Sequence, residues 1–173
     1  MNYTKAQKEI FDALCKGARL GRFALDEDHT FITPNGYMGY VFPNAIINFN
    51  LEKIPEIAAL PIREIISEEN ELRMTLDLRL DQHRGSMFRR LRGKDKNVLV
   101  NVKFLSCFQN PSFYQAASPH SIITVTEKIR LGGHGSQSFF DCVVGIILPV
   151  RNDSLQGDYY DWADSIKAVA TCQ

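Results

Sequence analysis

The segment Glu71-Leu-Arg-Met-Thr-Leu-Asp-Leu-Arg-Leu80 carries the most regular pattern in the chain. Its apolar residues alternate without exception with charged or hydroxyl-bearing ones, and they are Leu72, Met74, Leu76, Leu78 and Leu80. Successive side chains of a β-strand point to opposite faces, so this period of two predicts a strand with one buried and one solvated face. A strand of this kind belongs to an antiparallel sheet that is wet on one side.

The N-terminal segment has the pattern of an amphipathic helix. Thr4 is a candidate N-cap and Gly21 a candidate C-cap, so we predict a helix from about Lys5 to Leu20. Its inner face is predicted from the spacing of the apolar residues Ile10, Phe11, Ala13, Leu14 and Ala18.

Three short β-like segments follow this helix, at Arg22–Leu25, Thr30–Thr33 and Tyr37–Phe42. The acidic run Asp26–Asp28 separates the first two, and Pro34-Asn35-Gly36 separates the second two. Asn-Gly favours a hairpin turn because both residues tolerate positive φ. The pattern predicts a small antiparallel meander.

The intervals on either side of the Glu71–Leu80 strand are less regular. Prolines interrupt Asn44–Ile66, so only one or two brief helical turns are expected there. His83–Lys96 is rich in Gly and Arg and indicates a connection. The C-terminal half is then predicted to contain a strand at Val98–Val100, a helix at Asn101–Phe108, strands at Ser121–Ile129 and Phe139–Val150, and an amphipathic helix at Asp158–Ala170 with Tyr159, Trp162, Ile166 and Val169 as its apolar stripe.

These elements predict a single α+β domain of antiparallel sheets with two packed helices, followed by a C-terminal helix. The order of helix, strands, strand, helix and strands indicates two copies of one supersecondary unit. The length of 173 residues fits one domain, and 45% hydrophobic with 23% charged residues is typical of a globular protein. The formal net charge is zero, so any nucleic-acid binding must depend on a local patch.

The strongest local patch is basic and lies within the predicted connection. It contains six cations against the single acid Asp95, and they are Arg84, Arg89, Arg90, Arg92, Lys94 and Lys96. Arginine forks match phosphate oxygens, so these residues are candidate nucleic-acid contacts. The alternative interpretation is a solvated charged loop that balances the acids at Asp26–Asp28 and Glu68–Glu71.

No catalytic or metal-binding motif is present in the sequence. The four cysteines form no C-x-x-C pair, and no two of the four histidines have the H-x-x-x-H spacing of metal ligands. We therefore predict no metal and no cofactor. The alternative function is a small hydrolase or transferase with a site near the Gly132–Gly135 loop, formed by His134, His120 and Asp141.

The N-terminus mixes charged and apolar residues, which predicts no signal peptide. The longest apolar run, Val143–Val150, is far shorter than the roughly 20 residues that span a bilayer. A cytoplasmic location and no membrane partner are the corresponding expectations.

From about Glu71 onward the chain resembles the closing domain of a bacterial DNA polymerase sliding clamp. The resemblance is carried by three stretches, at Asn97–Leu105, Ser118–Ile123 and Val143–Arg151. In that family a strand enters a short helix at an Asn-x-Lys-Tyr-Leu type sequence, a Ser-Pro turn precedes the next strand, and an apolar strand ends in Met/Leu-Pro-x-Arg. The matching positions of that last motif are Leu148, Pro149, Val150 and Arg151.

The resemblance implies a clamp-like α+β domain over residues 1–151 and an extension over 152–173. It also implies two helices against curved antiparallel sheets, a non-catalytic role and an apolar groove that receives a peptide. This chain departs from the family in four ways. A clamp subunit has three such domains, a clear first strand precedes the first helix of each domain, and the family's chain normally ends near the arginine of the last motif. In the family, helices and not a connection carry the positive charge.

The leading hypothesis is a non-enzymatic binding or scaffolding domain in DNA metabolism or a mobile element, with a protein peptide or nucleic acid as its partner. A homo-oligomer held by the last strand or the C-terminal helix is a further hypothesis.

Overall fold

The computed structural model describes residues 1–57, 72–83, 85–93, 97–115, 122–131 and 138–148. These residues form two α-helices, α1 (Tyr3–Cys15) and α2 (Val102–Leu105), and nine β-strands. The strands are β1 (Gly21–Ala24), β2 (His29–Thr33), β3 (Met38–Pro43), β4 (Leu72–His83), β5 (Ser86–Arg92), β6 (Asn97–Asn101), β7 (Ser112–Gln115), β8 (Ile123–Leu131) and β9 (Ser138–Ile147). The α+β prediction is confirmed. The predicted helix at Asp158–Ala170 and the proposed boundary at residues 151/152 lie outside the described residues.

All nine described strands belong to one sheet with the order β1-β2-β3-β9-β8-β7-β4-β5-β6, and every pair of neighbours is antiparallel. The pairing of β3 with β9 brings an early strand and the last described strand together, with Tyr40 opposite Gly145. The prediction of a final long strand is therefore confirmed over Ser138–Ile147. That strand lies inside the sheet, between β3 and β8.

Two glycines allow this central pairing to form. A Cβ atom at Gly39 would lie 2.0 Å from Cζ of Phe31, and one at Gly145 would lie 2.8 Å from both the Gly39 carbonyl oxygen and Cζ of Phe108. Separations this short cannot be relieved without moving backbone or buried rings. Glycine is therefore required at both positions by the close approach of neighbouring groups.

The two faces of the sheet bury separate hydrophobic clusters. Alternate residues go to opposite faces, so Tyr40 and Phe42 of β3 join the larger cluster and Val41 joins the smaller one. Ala6 and Ile10 attach α1 to the larger cluster, and the partly buried Phe104 and Leu105 attach α2 to it. We call the outer surfaces of α1 and α2, which share this side of the sheet, the helical face. The smaller cluster consists of Phe23, Phe31, Val41 and Ile146.

Helix α1 is shorter than predicted and starts earlier. Asn2, not Thr4, is the N-cap, and its side chain accepts a hydrogen bond from Lys5 N at 3.0 Å. The helix ends at Cys15, and Gly17 has φ 64°, the left-handed conformation that follows helix ends. Gly21 instead begins β1. The prediction that Phe11 faces the core is also wrong, because Phe11 is 57% exposed.

The predicted meander is confirmed to within about one residue at each strand end. Gly36 has φ 74°, and the side-chain Oδ1 of Asn35 accepts a hydrogen bond from Tyr37 N at 2.9 Å, so the turn uses both residues. After β3 come two short 3-10 turns, Asn44–Ile46 and Leu51–Lys53, as expected for the proline-interrupted region; residues 58–66 lie outside the described part of the chain.

The turns after β3 are attached to the body by two polar side chains. The side chain of Gln7 in α1 donates to the Ile46 carbonyl at 3.1 Å and accepts from Asn48 N at 2.9 Å. Its amide thus satisfies one backbone acceptor and one backbone donor of the turn, as a neighbouring strand would. The Arg22 Nε atom donates to the carbonyls of Leu51 and Ile54. Further on, Ile57 N donates to Arg22 O at 2.9 Å, so this segment covers the outer edge of β1.

The alternating strand is present as β4, but its predicted buried face is only partly correct. Met74 is buried and Leu76 partly buried, whereas Leu78 is 80% exposed. The cause is a register shift between Leu76 and Leu80. Leu76 is paired with Leu91 and Leu80 with Arg89, so β4 advances by four residues where β5 advances by two. The extra residues re-aim the strand, and Asp81 becomes buried beyond the shift.

Two other predictions for the second half need correction, and one strand was missed. His83–Lys96 is not simply a connection: Ser86–Arg92 is strand β5, joined to β4 through Gly85, whose φ is 77°. The helix predicted at Asn101–Phe108 is a single turn, α2, although Phe108 is buried as expected. Strand β7, which follows Pro111, was not predicted at all.

Candidate functional site

Three of the six basic candidates lie on β5, in the hairpin that this strand forms with β4. Arg89 is paired with Leu80 and Val100 across the sheet, and Arg92 with Thr75. Neighbouring positions on a strand face opposite sides, so Arg89 points away from the side shared by Arg90 and Arg92. The three arginines of β5 therefore do not share one side of the sheet. Arg84, Lys94 and Lys96 lie outside the described residues.

Two aspartates of β4 compensate the arginines that share a side. Asp77 accepts a hydrogen bond from Arg92 at 2.6 Å, and the carboxylate of Asp81 lies 3.6 Å from the Arg90 guanidinium. Both Asp81 and Arg90 are largely buried, with 7% and 19% of their side chains exposed. A hydrogen bond from Arg79 N and then the Arg92 guanidinium hold the pKa of Asp77 below its ordinary value. These pairs reduce the positive field that the strand presents to a polyanion.

The arginine Nε atoms give a second sign that this strand is packed. The Nε atoms of Arg89 and Arg90 are buried and have no hydrogen-bond partner in the described part of the chain. Their side chains therefore run along the protein with partly desolvated stems, as long cationic side chains commonly do. What β5 offers to a ligand is the outer part of its guanidinium groups.

A second group of cations, which the sequence prediction did not single out, lies on the helical face. Its exposed members are Lys5 and Lys8 of α1, Lys16 at the C-cap of α1, and Lys103 of α2. Lys5 donates to the Ser106 carbonyl at 3.0 Å, but neither Lys8, Lys16 nor Lys103 is within ion-pair distance of any described acid. A helical-wheel reading at 100° per residue places Lys8, Phe11 and Cys15 on one outward stripe, which is the signal that could have revealed this surface.

The inner side of α1 carries a buried polar cluster formed by Glu9, Tyr40 and Cys107. The Tyr40 hydroxyl donates to the Glu9 carboxylate at 2.5 Å, and the Cys107 thiol donates to the same oxygen at 3.5 Å. Burial, followed by hydrogen bonding with Cys107 and then with Glu9, raises the pKa of the Tyr40 hydroxyl. Burial also raises the pKa of the Cys107 thiol, so this cysteine is protonated and unreactive.

The segment Ser106–Gln109 holds the beginning of α1 in place. Asn2 N donates to the Cys107 carbonyl at 2.8 Å, and Lys5 donates to Ser106. The buried Glu127 of β8 accepts from Gln109 N at 2.7 Å and forms an ion pair with the amino group of Met1. Helix α1 is therefore fixed to the second half of the chain, which defines the orientation of its outer surface.

Most of the residues proposed for a hydrolase or transferase site lie outside the described residues. These are His120 and the Gly132–Gly135 loop with His134. Asp141 is exposed on β9, opposite Lys128 of β8. His29 is hydrogen-bonded to Asp26, whose carboxylate lies 2.9 Å from Nδ1 of the ring. This hydrogen bond, together with those from the backbone N–H groups of Asp28 and His29, lowers the pKa of Asp26. Within the described ranges, no group of three His, Cys, Asp or Glu residues could hold a metal ion.

Of the clamp-like motif at the end of β9, only Leu148 is described. It is half-buried, and its backbone N–H donates to the Tyr37 carbonyl at 2.8 Å, so it extends the pairing of β9 with the start of β3. Pro149, Val150 and Arg151 lie outside the described residues.

Comparison with known proteins adds no relative: no family model, no curated protein and no solved structure matches this chain. Neither helix in the described ranges has the length and hydrophobicity needed to cross a membrane.

Proposed function

We propose that this chain is a non-enzymatic binding and scaffolding domain of clamp-like architecture that contacts nucleic acid, in DNA metabolism or in a mobile element. The proposal rests on one arrangement. Helix α1 is followed by the meander β1-β2-β3, helix α2 is followed by the meander β7-β8-β9, and the third strands of the two meanders pair antiparallel. A helix-plus-meander unit repeated in this way is what the resemblance to a sliding-clamp domain implies.

The chemistry of the described residues supports binding rather than catalysis. Their most perturbed hydroxyl and thiol, Tyr40 and Cys107, are buried and have raised pKa values, so neither is an activated nucleophile. The partly exposed His29 is hydrogen-bonded to Asp26. The Tyr40 hydroxyl and the Cys107 thiol both donate to the Glu9 carboxylate and are fully buried, so neither is open to a substrate.

Two surfaces could meet a phosphate backbone, and their charges differ in availability. The helical face carries Lys8, Lys16 and Lys103 without ion-pair partners among the described residues, whereas Arg90 and Arg92 of β5 already face aspartates. Free cations release counterions from nucleic acid, but paired ones must first lose their acidic partners. We therefore assign the main contact to the helical face and a secondary one to β5.

A titration of fluorescent duplex DNA, followed by anisotropy at several salt concentrations, tests this assignment. The wild type is compared with the variant Lys8→Ala, Lys16→Ala, Lys103→Ala and with the matched variant Arg89→Ala, Arg90→Ala, Arg92→Ala. At roughly 0.9 per phosphate contact, losing three contacts lowers the slope of log affinity against log salt by up to about 2.7. We expect most of this decrease in the lysine variant. Far-UV circular dichroism of both variants controls for loss of structure.

Two results would end the proposal in its present form. Undetectable binding by the wild type at low salt would remove the nucleic-acid function. A loss confined to the arginine variant would instead place the contact on β5.

A protein partner or a second copy of the chain is the other part of a scaffolding role. Residues Gly145–Ile147 of the last strand are bonded to β3 on one side and β8 on the other, so they are not free to pair with another molecule. Strand β6 forms the opposite end of the sheet from β1, and Val98 and Leu99 on it are partly exposed. Light scattering of the Leu99→Lys variant beside the wild type tests association through this edge.

A further inference from the structure

The outer surface of α1 has an unusual centre, the side chain of Phe11. It is 57% exposed in the middle of a helix whose inner side is well packed. Lys8 lies one turn before it, and Lys5 and Lys16 lie at the border of the same surface. Asp12 is the acid on this surface, so the surroundings of the ring are positively charged. A binding partner that fits this surface combines an aromatic or aliphatic group with negative charge.

The C-terminal segment of the same chain has this composition. Residues 152–173 contain four aspartates and one lysine, a net charge of −3, which leaves residues 1–151 at +3 because the whole chain is neutral. Asp158, Asp161 and Asp164 recur every three residues beside the predicted apolar stripe that includes Trp162 and Ile166. Aromatic groups and carboxylates are therefore interleaved along one segment.

We propose that segment Asp158–Ala170 docks on the outer surface of α1, with Trp162 against Phe11 and the aspartates beside Lys8 and Lys16. The docked segment competes with nucleic acid for the helical face, a consequence that rests on the function proposed above. The segment thus acts as an internal anion that lowers the affinity of the domain for other polyanions.

The chain is long enough to make this contact. Leu148 is held at Tyr37, at the end of β9, and nine residues separate it from Asp158. Nine extended residues reach about 30 Å. Tyr40, three residues along the chain from Tyr37, donates to Glu9 of α1, so Leu148 is held close to this helix and the segment can reach it.

An exposed aromatic surface on another part of the sheet fits the segment less well. On the β8–β9 hairpin, Phe139 and Phe140 are each more than half exposed, and Ile129 is 36% exposed. Beside them Lys128 is paired across the strands with Asp141, and Arg130 is paired with Phe139. These three residues sum to +1, whereas Lys5, Lys8, Lys16 and Asp12 of the α1 surface sum to +2, so charge complementarity favours α1.

Trp162 is the only tryptophan in the chain, which makes its fluorescence a direct report on docking in the full-length protein. In the wild type we expect an emission maximum shifted to shorter wavelength than in 8 M urea, and partial protection from acrylamide quenching. The Phe11→Ser variant should move both values to those of the unfolded chain. Phe139→Ser is the matched control, because it removes an equally exposed ring elsewhere and should change nothing.

Charge variants provide an independent test. Lys8→Glu with Lys16→Glu should also expose Trp162, and adding Asp161→Lys with Asp164→Lys should restore the protection. The proposal is overturned if Trp162 is as exposed in the wild type as in urea, or if Phe139→Ser and not Phe11→Ser exposes it. A wild-type emission maximum that changes on dilution is equally contrary, because the segment then docks on a second copy.

The consequence for nucleic acid is measured separately, with Trp162→Ala in the same anisotropy titration. Competition predicts tighter binding than in the wild type, by several-fold at low salt, and a smaller difference at high salt. If fluorescence shows docking but DNA never binds, the proposed function fails and the docking stands. If DNA binds and Trp162→Ala leaves the affinity unchanged, the competition fails and the proposed function stands.

Discussion

The β4–β5 hairpin and helix α1 both concentrate basic residues, yet they treat them in opposite ways. On the hairpin, Asp77 and Asp81 of one strand face Arg92 and Arg90 of the other. On the helix, Asp12 stands four residues from both Lys8 and Lys16, the spacing at which ion pairs can form, but neither pair is within ion-pair distance. A count of cations along the sequence therefore overestimates the positive charge available on the hairpin and overlooks the unpaired lysines of the helix.

The inner contacts of the two regions differ in the same way. The hairpin is held by ion pairs, and its carboxylate at Asp77 has a lowered pKa. The helix is held by Glu9, Tyr40 and Cys107, whose hydroxyl and thiol have raised pKa values. Acid should therefore weaken the hairpin first, and alkali should weaken the attachment of the helix. Three substitutions test this contrast.

The largest expected effect comes from Asp81→Asn in the hairpin. The carboxylate is 93% buried, and its loss leaves the Arg90 guanidinium largely buried without a counter-charge. Removing one partner of a buried pair is costly, so we expect the free energy of unfolding to fall by about 2–4 kcal/mol. Urea denaturation followed by circular dichroism measures it.

A paired substitution separates the ionic contribution from packing. Asp81→Leu combined with Arg90→Met removes both charges and should recover most of the stability that Asp81→Asn loses. If the double variant is no more stable than Asp81→Asn, the pair is not what holds this part of the hairpin.

The difference between the two regions also explains what the sequence could predict. Local signals were sufficient for β1–β3, because Asn35-Gly36 specifies a turn between two short apolar runs. They failed at Leu78, since the shift of register in β4 depends on its pairing with β5 and leaves no trace in the alternation. Strand β5 itself was missed because its buried residues, Phe88 and Leu91, are three apart, a spacing that does not match the period of a strand.

The functional surfaces were harder to predict for a related reason. The exposure of Phe11 depends on which side of α1 packs against the sheet, and the apolar residues alone allowed a different rotation. The contact between Glu9, Tyr40 and Cys107 joins residues up to 98 positions apart, so no local pattern contains it. Charge pairing on the hairpin likewise required the strand register before it could be seen.

An intermediate effect is expected from Tyr40→Phe at the helix. This change removes the hydroxyl that donates to Glu9 and should cost about 1–2 kcal/mol at neutral pH. The wild type should also lose stability above pH 10.0, the ordinary tyrosine pKa, because the unfolded chain ionises there while folded Tyr40 stays protonated. Each such group contributes up to about 1.4 kcal/mol per pH unit.

Urea midpoints measured between pH 8 and pH 11 test this second prediction. Above pH 10.0 the urea midpoint should fall less steeply with pH in Tyr40→Phe than in the wild type. The loss of stability due to Cys107 begins above the ordinary cysteine pKa of 9.0 and should remain in both proteins. Equal slopes in the two proteins would mean that Tyr40 is not protonated throughout this range, and the proposed attachment of α1 would be wrong.

The smallest effect is expected from Asp77→Asn, the exposed counterpart of Asp81→Asn. The amide oxygen can still accept from Arg79 N, so this change isolates the charge opposite Arg92, whose side chain is 61% exposed. Solvent and salt screen such a pair, so the loss should be smaller than for Asp81→Asn and should shrink further in 1 M NaCl. Because the folded pKa of Asp77 is lowered, its contribution is present above the ordinary value of 3.8 and disappears as the pH falls below it. Thermal melts of the two asparagine variants at pH 7 and pH 3 therefore decide whether burial, and not charge alone, ranks the two aspartates: equal losses at pH 7 would show that it does not.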